Sequence, residues 1–406
     1  MTREHDSTTP DAVGTDVATV VETGTGRREF LKGAALTGLG ATTVGGLLVG
    51  QAAAQGTPGY AKKGKASRDL PGEAGLGGNI SKALWYTINV SDLDRAIEFY
   101  EATYPVTRAE EFNGPVQAFN GFGISRGQFK GRLMRDPQPF QGGGILLVQW
   151  LSPGPVGKPY AEANHIGWYR EHAFASRTGQ TARYEQALAA GGRPYGPPSA
   201  IAITDTLTIY SFAFRDPDGT TLEWVGPLDP TPDGPPDTVA GPNTNCRNIH
   251  RSFKFYHDVL GLDLQIRLNP SNPQPATNGS LGDIVRTPEG EVYTGLTDFD
   301  AAILVPRGDD RNSVDLLEWQ LPGSYGTPYK HANNLGATNL TWEVNSVQVV
   351  YEKLHRLLKH PRKHIVGPPE TWDFGDYGVR KTLNILDPDG VMLQFVEKVQ
   401  STDPTP

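Results

Sequence analysis

The pattern of apolar and polar positions is clearest around residue 85. Residues 85–90 alternate and are rich in β-branched and aromatic types, which predicts a strand. Ser91 is expected to begin a helix, with Asp94 three residues on as the acid of a capping box. The apolar positions that follow have helical spacing and are Leu93, Ala96, Ile97 and Tyr100.

The same helical pattern returns in the second half of the chain. Its apolar positions are Ile249, Phe253, Tyr256 and Leu260, and Gly261 ends the predicted helix. Both predicted helices contain the dipeptide Phe-Tyr, at 99–100 and at 255–256.

Two further strings occur twice, in the same order. Gly-x-Pro-Tyr stands at 157–160 and at 326–329, and an Asn and a Gly follow each at equal distances. Asp-Pro-Asp-Gly stands at 216–219 and at 387–390, each time between apolar strands, where Pro and Gly predict a hairpin turn. Repeated markers in a constant order indicate an internal duplication.

Each copy is itself predicted to be double. Helices expected at about 181–190 and 346–358 give the order strand, helix, three strands four times over, which is an α+β fold. The predicted organisation is a linker at 55–80, a first module at 81–226, a proline-rich linker at 227–245, a second module at 246–398 and a disordered tail at 399–406.

The N-terminal segment, 1–54, differs in character from the rest. Arg27-Arg28 is followed by Phe30-Leu31, by a mild apolar stretch, and by the small residues 52–54. This resembles a twin-arginine export signal, which implies an extracellular or cell-envelope location. Cleavage after the small residues is favoured over retention as a membrane anchor, because the stretch is short and rich in Gly and Thr.

Composition narrows the range of partners. The net charge of −8 argues against nucleic acid and anionic membranes as ligands. The one cysteine, Cys246, excludes an intramolecular disulfide and a cysteine-rich metal site. The sequence contains no serine nucleophile elbow, phosphate-binding loop or dinucleotide fingerprint.

The opening string at 90–100 and the closing string at 216–223 together resemble a module of the vicinal oxygen chelate superfamily, which includes glyoxalase I, bleomycin resistance proteins and extradiol dioxygenases. The strings at 255–261 and 387–394 are similar, so the resemblance covers nearly everything from 83 to 398. It implies two βαβββ units that form a U-shaped sheet around a cleft. It also implies a divalent metal held by His or Gln on the first strand, Glu on the fourth, His on the fifth and Glu on the eighth.

In the first copy the resemblance places Trp85, Gln149 and Glu223 at the first, fourth and eighth positions. The fifth-strand position is open among Arg170, His172 and Ala173. Indole is no ligand for a divalent metal, and an arginine at this point would repel the ion and could pair with Glu223. In the second copy the four positions fall on Gly241, Glu318, Asn339 and Gln394.

Neither copy alone supplies the usual ligands, but some relatives build a cleft from halves of two modules. Pairing the second half of copy one with the first half of copy two would collect His172, Glu223 and Glu318. Such a set suits iron, manganese or zinc. The remaining halves would form a neutral pocket from Trp85, Gln149, Asn339 and Gln394, with an aromatic wall.

Two functions remain open. One is metal-independent binding of a small organic molecule, aromatic or rich in oxygen, at Trp85, Gln149, Arg170, Asn339 and Gln394. The alternative is a metal-dependent dioxygenase, lyase or isomerase that uses His172, Glu223 and Glu318 on a substrate with two neighbouring oxygens. Either protein would be a monomer or a homodimer.

Overall fold

The computed structural model describes residues 75–136, 143–175, 177–202, 208–227, 237–268, 274–275, 284–307 and 313–399. The expected export signal, most of the expected linker and all but the first residue of the expected tail lie outside these ranges. Within them, no helix is long and apolar enough to cross a bilayer.

Four units follow one another, each with a first strand, a helix and further strands. The first unit contains β1 (Ile80–Asn89), α1 (Leu93–Thr103), β2 (Thr107–Phe112), β3 (Gln117–Phe119), β4 (Ile124–Arg135) and β5 (Gly144–Ser152). The second unit contains β6 (Gly167–Phe174), α2 (Arg177–Ala189), β7 (Arg193–Pro194), β8 (Ser199–Ala202), β9 (Thr208–Arg215) and β10 (Thr221–Pro227).

The third unit contains β11 (Thr238–Asn245), α3 (Ile249–Lys254), β12 (Asp263–Leu268), β13 (Gln274–Pro275), β14 (Val285–Arg286), β15 (Val292–Tyr293), β16 (Leu296–Val305) and β17 (Val314–Leu321). A single π-helical turn, Phe255–Val259, extends α3. The fourth unit contains β18 (Gly336–Val344), α4 (Val347–Leu357), β19 (Glu370–Asp373), β20 (Val379–Leu386) and β21 (Met392–Glu397).

The units pair crosswise into two large mixed sheets. The first sheet joins units one and four in the order β19-β20-β21-β18-β1-β5-β4-β2, with β3 beside β4. The second joins units two and three in the order β12-β16-β17-β11-β6-β10-β9-β7, with β8 beside β9 and β13 beside β16. The antiparallel pairs β1–β18 and β6–β11 lie at the centres. The α+β prediction is confirmed. The halves could pair within one copy or between the two copies, and in the structure they pair between the copies.

Strand β11 lies within 227–245, the range predicted to be a linker. It is nonetheless a central strand, antiparallel to β6 and parallel to β17. A bulge between Val239 and Gly241 precedes Pro242, and bulges are where a sheet tolerates a residue without an N–H. Gly241 has φ of 145°, and a Cβ there would lie 2.3 Å from the Ser313 carbonyl oxygen, so the residue must be glycine. The range was predicted to be a linker because of its proline and glycine content, although it contains strand β11.

The helices and one face of both sheets enclose a shared core. Leu222 and Trp224 of β10, Leu316 of β17, and Leu340 and Trp342 of β18 all belong to it. Alternation along each strand then sends the intervening side chains to the opposite face. The start of α1 differs slightly from the expectation, since Asp92 caps the helix by accepting from the Asp94 and Arg95 N–H groups. Ser91 instead donates to Asp218.

The repeated strings contact one another. Tyr100, from the first Phe-Tyr pair, donates to Asp216 at 3.1 Å, and Tyr256 donates to Asp387 at 3.3 Å. Each aspartate is the first residue of an Asp-Pro-Asp-Gly turn. Each also accepts hydrogen bonds from backbone N–H groups of its own turn. The strings thus fasten each helix to a distant hairpin.

The Gly-x-Pro-Tyr strings meet where the two copies cross. The rings of Tyr160 and Tyr329 stack with centroids 3.9 Å apart and 10° between planes. Asn164 donates to the Gly323 carbonyl, and Asn333 donates to the Gly154 carbonyl, both across the junction. This reciprocal arrangement supports the crosswise pairing of the units.

Stability is expected to depend on Asp387 and on pH. Burial and the nearby charge of Asp389 raise the pKa of Asp387 to about 7. The folded pKa of Asp387 lies above its unfolded value. The protonated carboxyl group therefore contributes its full stabilisation below pH 4, and this contribution is lost as pH rises towards 7. We therefore expect the free energy of unfolding of the wild-type chain, measured in urea, to fall between pH 4 and pH 7. Relative to that of Asp387→Asn, it should fall by on the order of 1 kcal/mol per pH unit. Parallel pH profiles for the two proteins would contradict this.

Candidate functional site

The face of the second sheet that points away from the shared core is called here the second cleft. Five neighbouring strands, β9, β10, β6, β11 and β17, place polar side chains on it. Glu223 lies opposite His172, and Asn243 lies opposite both Arg170 and Asp315. These positions follow from alternation, because the flanking residues of β10 and β17 are in the core.

Glu223 is the centre of this polar group, and its side chain is only 4% exposed. Its Oε2 lies 3.0 Å from Arg170 Nε and 3.1 Å from His172 Nε2, and the Ser211 hydroxyl donates to its Oε1. Burial alone would raise the pKa of Glu223. The Arg170 charge and the hydrogen bonds from His172 and Ser211 outweigh burial and hold that pKa below its usual range. Glu223 is thus a carboxylate matched by cationic and hydroxyl donors.

The other edge of His172 faces the third unit. Its Nδ1 lies 3.1 Å from the Gly241 carbonyl oxygen and 3.6 Å from Asp315 Oδ2. Burial raises the pKa of Asp315, although the charges of His172 and Arg170 oppose that shift. His172 therefore bridges the two units that form this sheet.

Besides the ion-paired Oε2 of Glu223, two acceptor atoms in the second cleft have no hydrogen-bond partner among the described residues. They are Oδ1 of Asn243, a residue 1% exposed, and Oδ1 of Asp315. Buried acceptors without a donor are costly, so these atoms are suited to a donor supplied by a ligand.

Glu318 and Gln149 lie on the opposite side of their strands from the clefts. Glu318 Oε2 accepts from the Ile249 N–H at 2.7 Å, and Gln149 Oε1 accepts from the Leu93 N–H at 3.1 Å. Each side chain therefore binds the first turn of a helix, where N–H groups lack intrahelical partners. The expectation that Glu318 would join His172 and Glu223 does not hold in this structure, and Gln149 does not line a pocket with Trp85.

The residues of the second cleft do not fit a divalent metal. His172 and Glu223 do meet, but the third expected ligand faces away, and the Arg170 guanidinium occupies the side of Glu223 where a cation would bind. Over the described part of the chain, no group of three His, Cys, Asp or Glu side chains is arranged to hold a metal. The conflict lies in the donor set itself, since a guanidinium and a metal ion would compete for the same carboxylate.

The corresponding face of the first sheet is called the first cleft. Trp85, Asn339 and Gln394 do converge there: Asn339 donates to Thr341, which donates to Gln394. Aromatic side chains lie beside Trp85 on this face. Those in the same buried cluster as Trp85 include Phe112, Phe119, Trp150, Trp372 and Phe374. Arg170, expected in the same ligand-binding set, lies in the second cleft instead.

Sequence reasoning missed Ser211, Asn243 and Asp315. Ser211 was detectable, because it alternates with Phe212 and Phe214, which are both buried in the core. Asp315 and Glu318 lie three apart on one strand, so alternation alone shows that they cannot share a face. Asn243 was hidden by the assignment of its strand as a linker.

No family model matches this sequence, and a search of curated proteins found no match. Among solved structures, a mutant of glyoxalase I from Zea mays is similar, with a TM-score of 0.53 and 15% identity over 78% of this chain and 92% of that chain. Glyoxalase I from Zea mays itself has a TM-score of 0.50, again with 15% identity, over 78% and 92%. At this identity the likeness shows a common fold.

Proposed function

We propose that this chain is an exported member of the vicinal oxygen chelate superfamily that binds a small, hydroxyl-bearing organic molecule in the second cleft without a metal. The unpaired acceptors of Asn243 and Asp315, placed beside Arg170 and His172, carry this proposal. The glyoxalase fold supports it, since it supplies the sheet on which the cleft is built.

The chemistry of the cleft favours a ligand with neighbouring oxygens. Hydroxyl groups would donate to Asn243 and Asp315, and the Arg170 guanidinium would stabilise partial negative charge on the same oxygens. Tyr169 and Trp319, which belong to one buried cluster near these groups, would provide a surface for a ring. Arg170 lies 5.9 Å from the Tyr169 ring centroid, which connects the polar and aromatic parts.

Binding is tested by titrating the purified chain with catechol and following tryptophan fluorescence. We expect saturable binding, at least about tenfold weaker for 1,2-dimethoxybenzene, because the methylated compound has no hydroxyl to donate. Asn243→Val should weaken catechol binding by a similar factor, whereas Gln394→Leu in the first cleft should leave it unchanged. EDTA should have no effect. Loss of binding on chelation, or equal affinity for the two compounds, would reject the proposal.

Export is a separate part of the proposal and rests on Arg27 and Arg28. Replacing both by lysine is expected to leave the protein in the cytoplasm, because export signals of this kind are read by a receptor that requires the arginine pair. Cell fractionation and immunoblotting measure the outcome. A lysine at Arg3, outside the pair, serves as the control and should not change the location.

A further inference from the structure

The floor of the first cleft consists of buried, uncharged polar side chains from four adjacent strands, β20, β21, β18 and β1. Each is between 0% and 7% exposed, and the set is Thr87, Asn339, Thr341, Thr382, Asn384 and Gln394. Six amide and hydroxyl groups in a buried row need partners, because polar groups are rarely buried without them.

The hydrogen bonds within the floor use only some of its atoms. Asn339 donates to Thr341 at 3.1 Å, and Thr341 donates to the Gln394 carbonyl oxygen at 3.0 Å. The Gln394 amide nitrogen has no partner among the described residues, and neither does the Asn384 carbonyl oxygen. Trp85 Nε1 is a further donor without a partner there. All three residues are 3% exposed or less.

The unpaired donor and acceptor are side by side. Asn384 and Gln394 are directly opposite in the antiparallel pair β20–β21. Opposed residues in such a pair have Cβ atoms about 5 Å apart and on the same face. An N–H donor beside a C=O acceptor is the complement of a cis-amide edge, which offers one acceptor and one donor on the same side of a ring.

The surroundings favour a flat and uncharged occupant. Aromatic rings form the walls, with Trp85 at 5.4 Å from Phe112 and Trp372 at 5.0 Å from Phe119, centroid to centroid. Glu370 lies at one end and accepts from the Gly121 N–H and from Trp372 Nε1, so an anion would be repelled there. None of the six floor residues carries a charge to compensate a buried ion.

A short turn and a small cavity adjoin the floor. The turn Asn120–Phe122 covers Asn384 so closely that a Cβ on Gly121 would lie 2.3 Å from the Asn384 amide nitrogen. A cavity of about 50 Å³ lies mainly among residues at and next to the Gly-x-Pro-Tyr junction, such as Tyr160, Pro328 and Tyr329, and its lining also includes Phe122 and the floor residue Asn339.

We propose that the first cleft is a second binding site, for a small planar uncharged molecule with a cis-amide edge, such as a lactam, imide or pyridone. Gln394 donates to its carbonyl oxygen, and Asn384 accepts from its N–H. Trp85 and its aromatic neighbours enclose the ring. This site differs in chemistry from the second cleft and does not depend on a ligand there.

Isothermal titration of the purified chain with 2-pyridone tests the site. Saturable binding is expected, at least about tenfold weaker for N-methyl-2-pyridone, because methylation removes the donor and leaves the Asn384 oxygen unpaired. Gln394→Leu should weaken 2-pyridone binding by a similar factor. Asn243→Val, in the second cleft, should change it less than about twofold, so this pair of variants and the catechol titration report on the two clefts separately.

Several outcomes would overturn the proposal: no saturable heat with 2-pyridone, affinities for the two compounds within about twofold, or an equal effect of Gln394→Leu and Asn243→Val. If circular dichroism shows that Gln394→Leu is unfolded, Asn384→Leu takes its place. The comparison of the two pyridones on the wild-type chain needs no variant. A failed catechol titration with a positive 2-pyridone titration would reject the proposed function and leave this site standing.

Discussion

Arg170→Ala is expected to lower the free energy of unfolding by about 3 kcal/mol at pH 7. Arg170 and Glu223 have side chains 11% and 4% exposed, and removal of the guanidinium leaves a buried carboxylate short of one partner. Losing one member of a buried pair costs about 3–5 kcal/mol, and the lower value applies because His172 and Ser211 remain on Glu223. Urea denaturation of the purified proteins measures the difference.

The dependence of this loss on pH identifies its origin. The pKa of Glu223 is lowered in the folded state, so the stability that its charged form contributes is present above pH 5 and is lost as pH falls through the folded pKa. The cost of Arg170→Ala should therefore be smaller at pH 4 than at pH 7. Arg307→Ala breaks an exposed pair with Asp263 and should cost less than about 1 kcal/mol at either pH. An equal cost for both variants would refute the central role given to Glu223.

Trp85→Ala should destabilise the chain by about 4 kcal/mol, because it removes a large side chain that is 1% exposed. The indole lies edge-on to Phe112 and to Tyr377, with centroids 5.4 and 5.2 Å away, so truncation opens a cavity between rings. Thermal unfolding with and without added indole measures the loss and its recovery, since an apolar cavity of this size can take up a small ring.

The control for that prediction is Trp85→Phe. Trp85 Nε1 has no hydrogen-bond partner among the described residues, so replacing the indole by a phenyl ring removes packing contacts alone. The resulting loss in the free energy of unfolding should be less than half of that for alanine. Similar losses for phenylalanine and alanine would show that the indole nitrogen, rather than ring volume, stabilises this cleft.

Much of the fold was predictable because local pattern and fold agree. The strand at β1, the helix that begins near residue 93 and the two Asp-Pro-Asp-Gly hairpins were all read from spacing and turn residues. The contacts of Tyr100 with Asp216 and of Tyr256 with Asp387 explain why these strings occur together. The limits of β11 were not predictable, because its stability comes from neighbours on both sides rather than from its own composition.

The candidate sites were only partly predictable. His172 and Arg170 were expected to share a face, and both contact Glu223. Glu318 and Gln149 were expected to point into the clefts, and this was wrong. Each side chain points to the other face of its strand, where it accepts a hydrogen bond from the first turn of a helix. Counting residues from a motif gives the position of a side chain in the sequence, but it does not show which face of the strand the side chain occupies.

The sequence by itself determined the α+β class, the order of elements and the repeated strings, because these depend on alternation, helical spacing and turn chemistry over a few residues. The tertiary structure alone decided which halves share a sheet, and so which polar groups meet. Side chains as far apart in sequence as His172 and Asp315, or Trp85 and Gln394, come together only through the crosswise pairing of units. The pair of Arg170 and Glu223 forms within the second unit, where β6 and β10 are adjacent, and it places a guanidinium where the family resemblance had implied a metal.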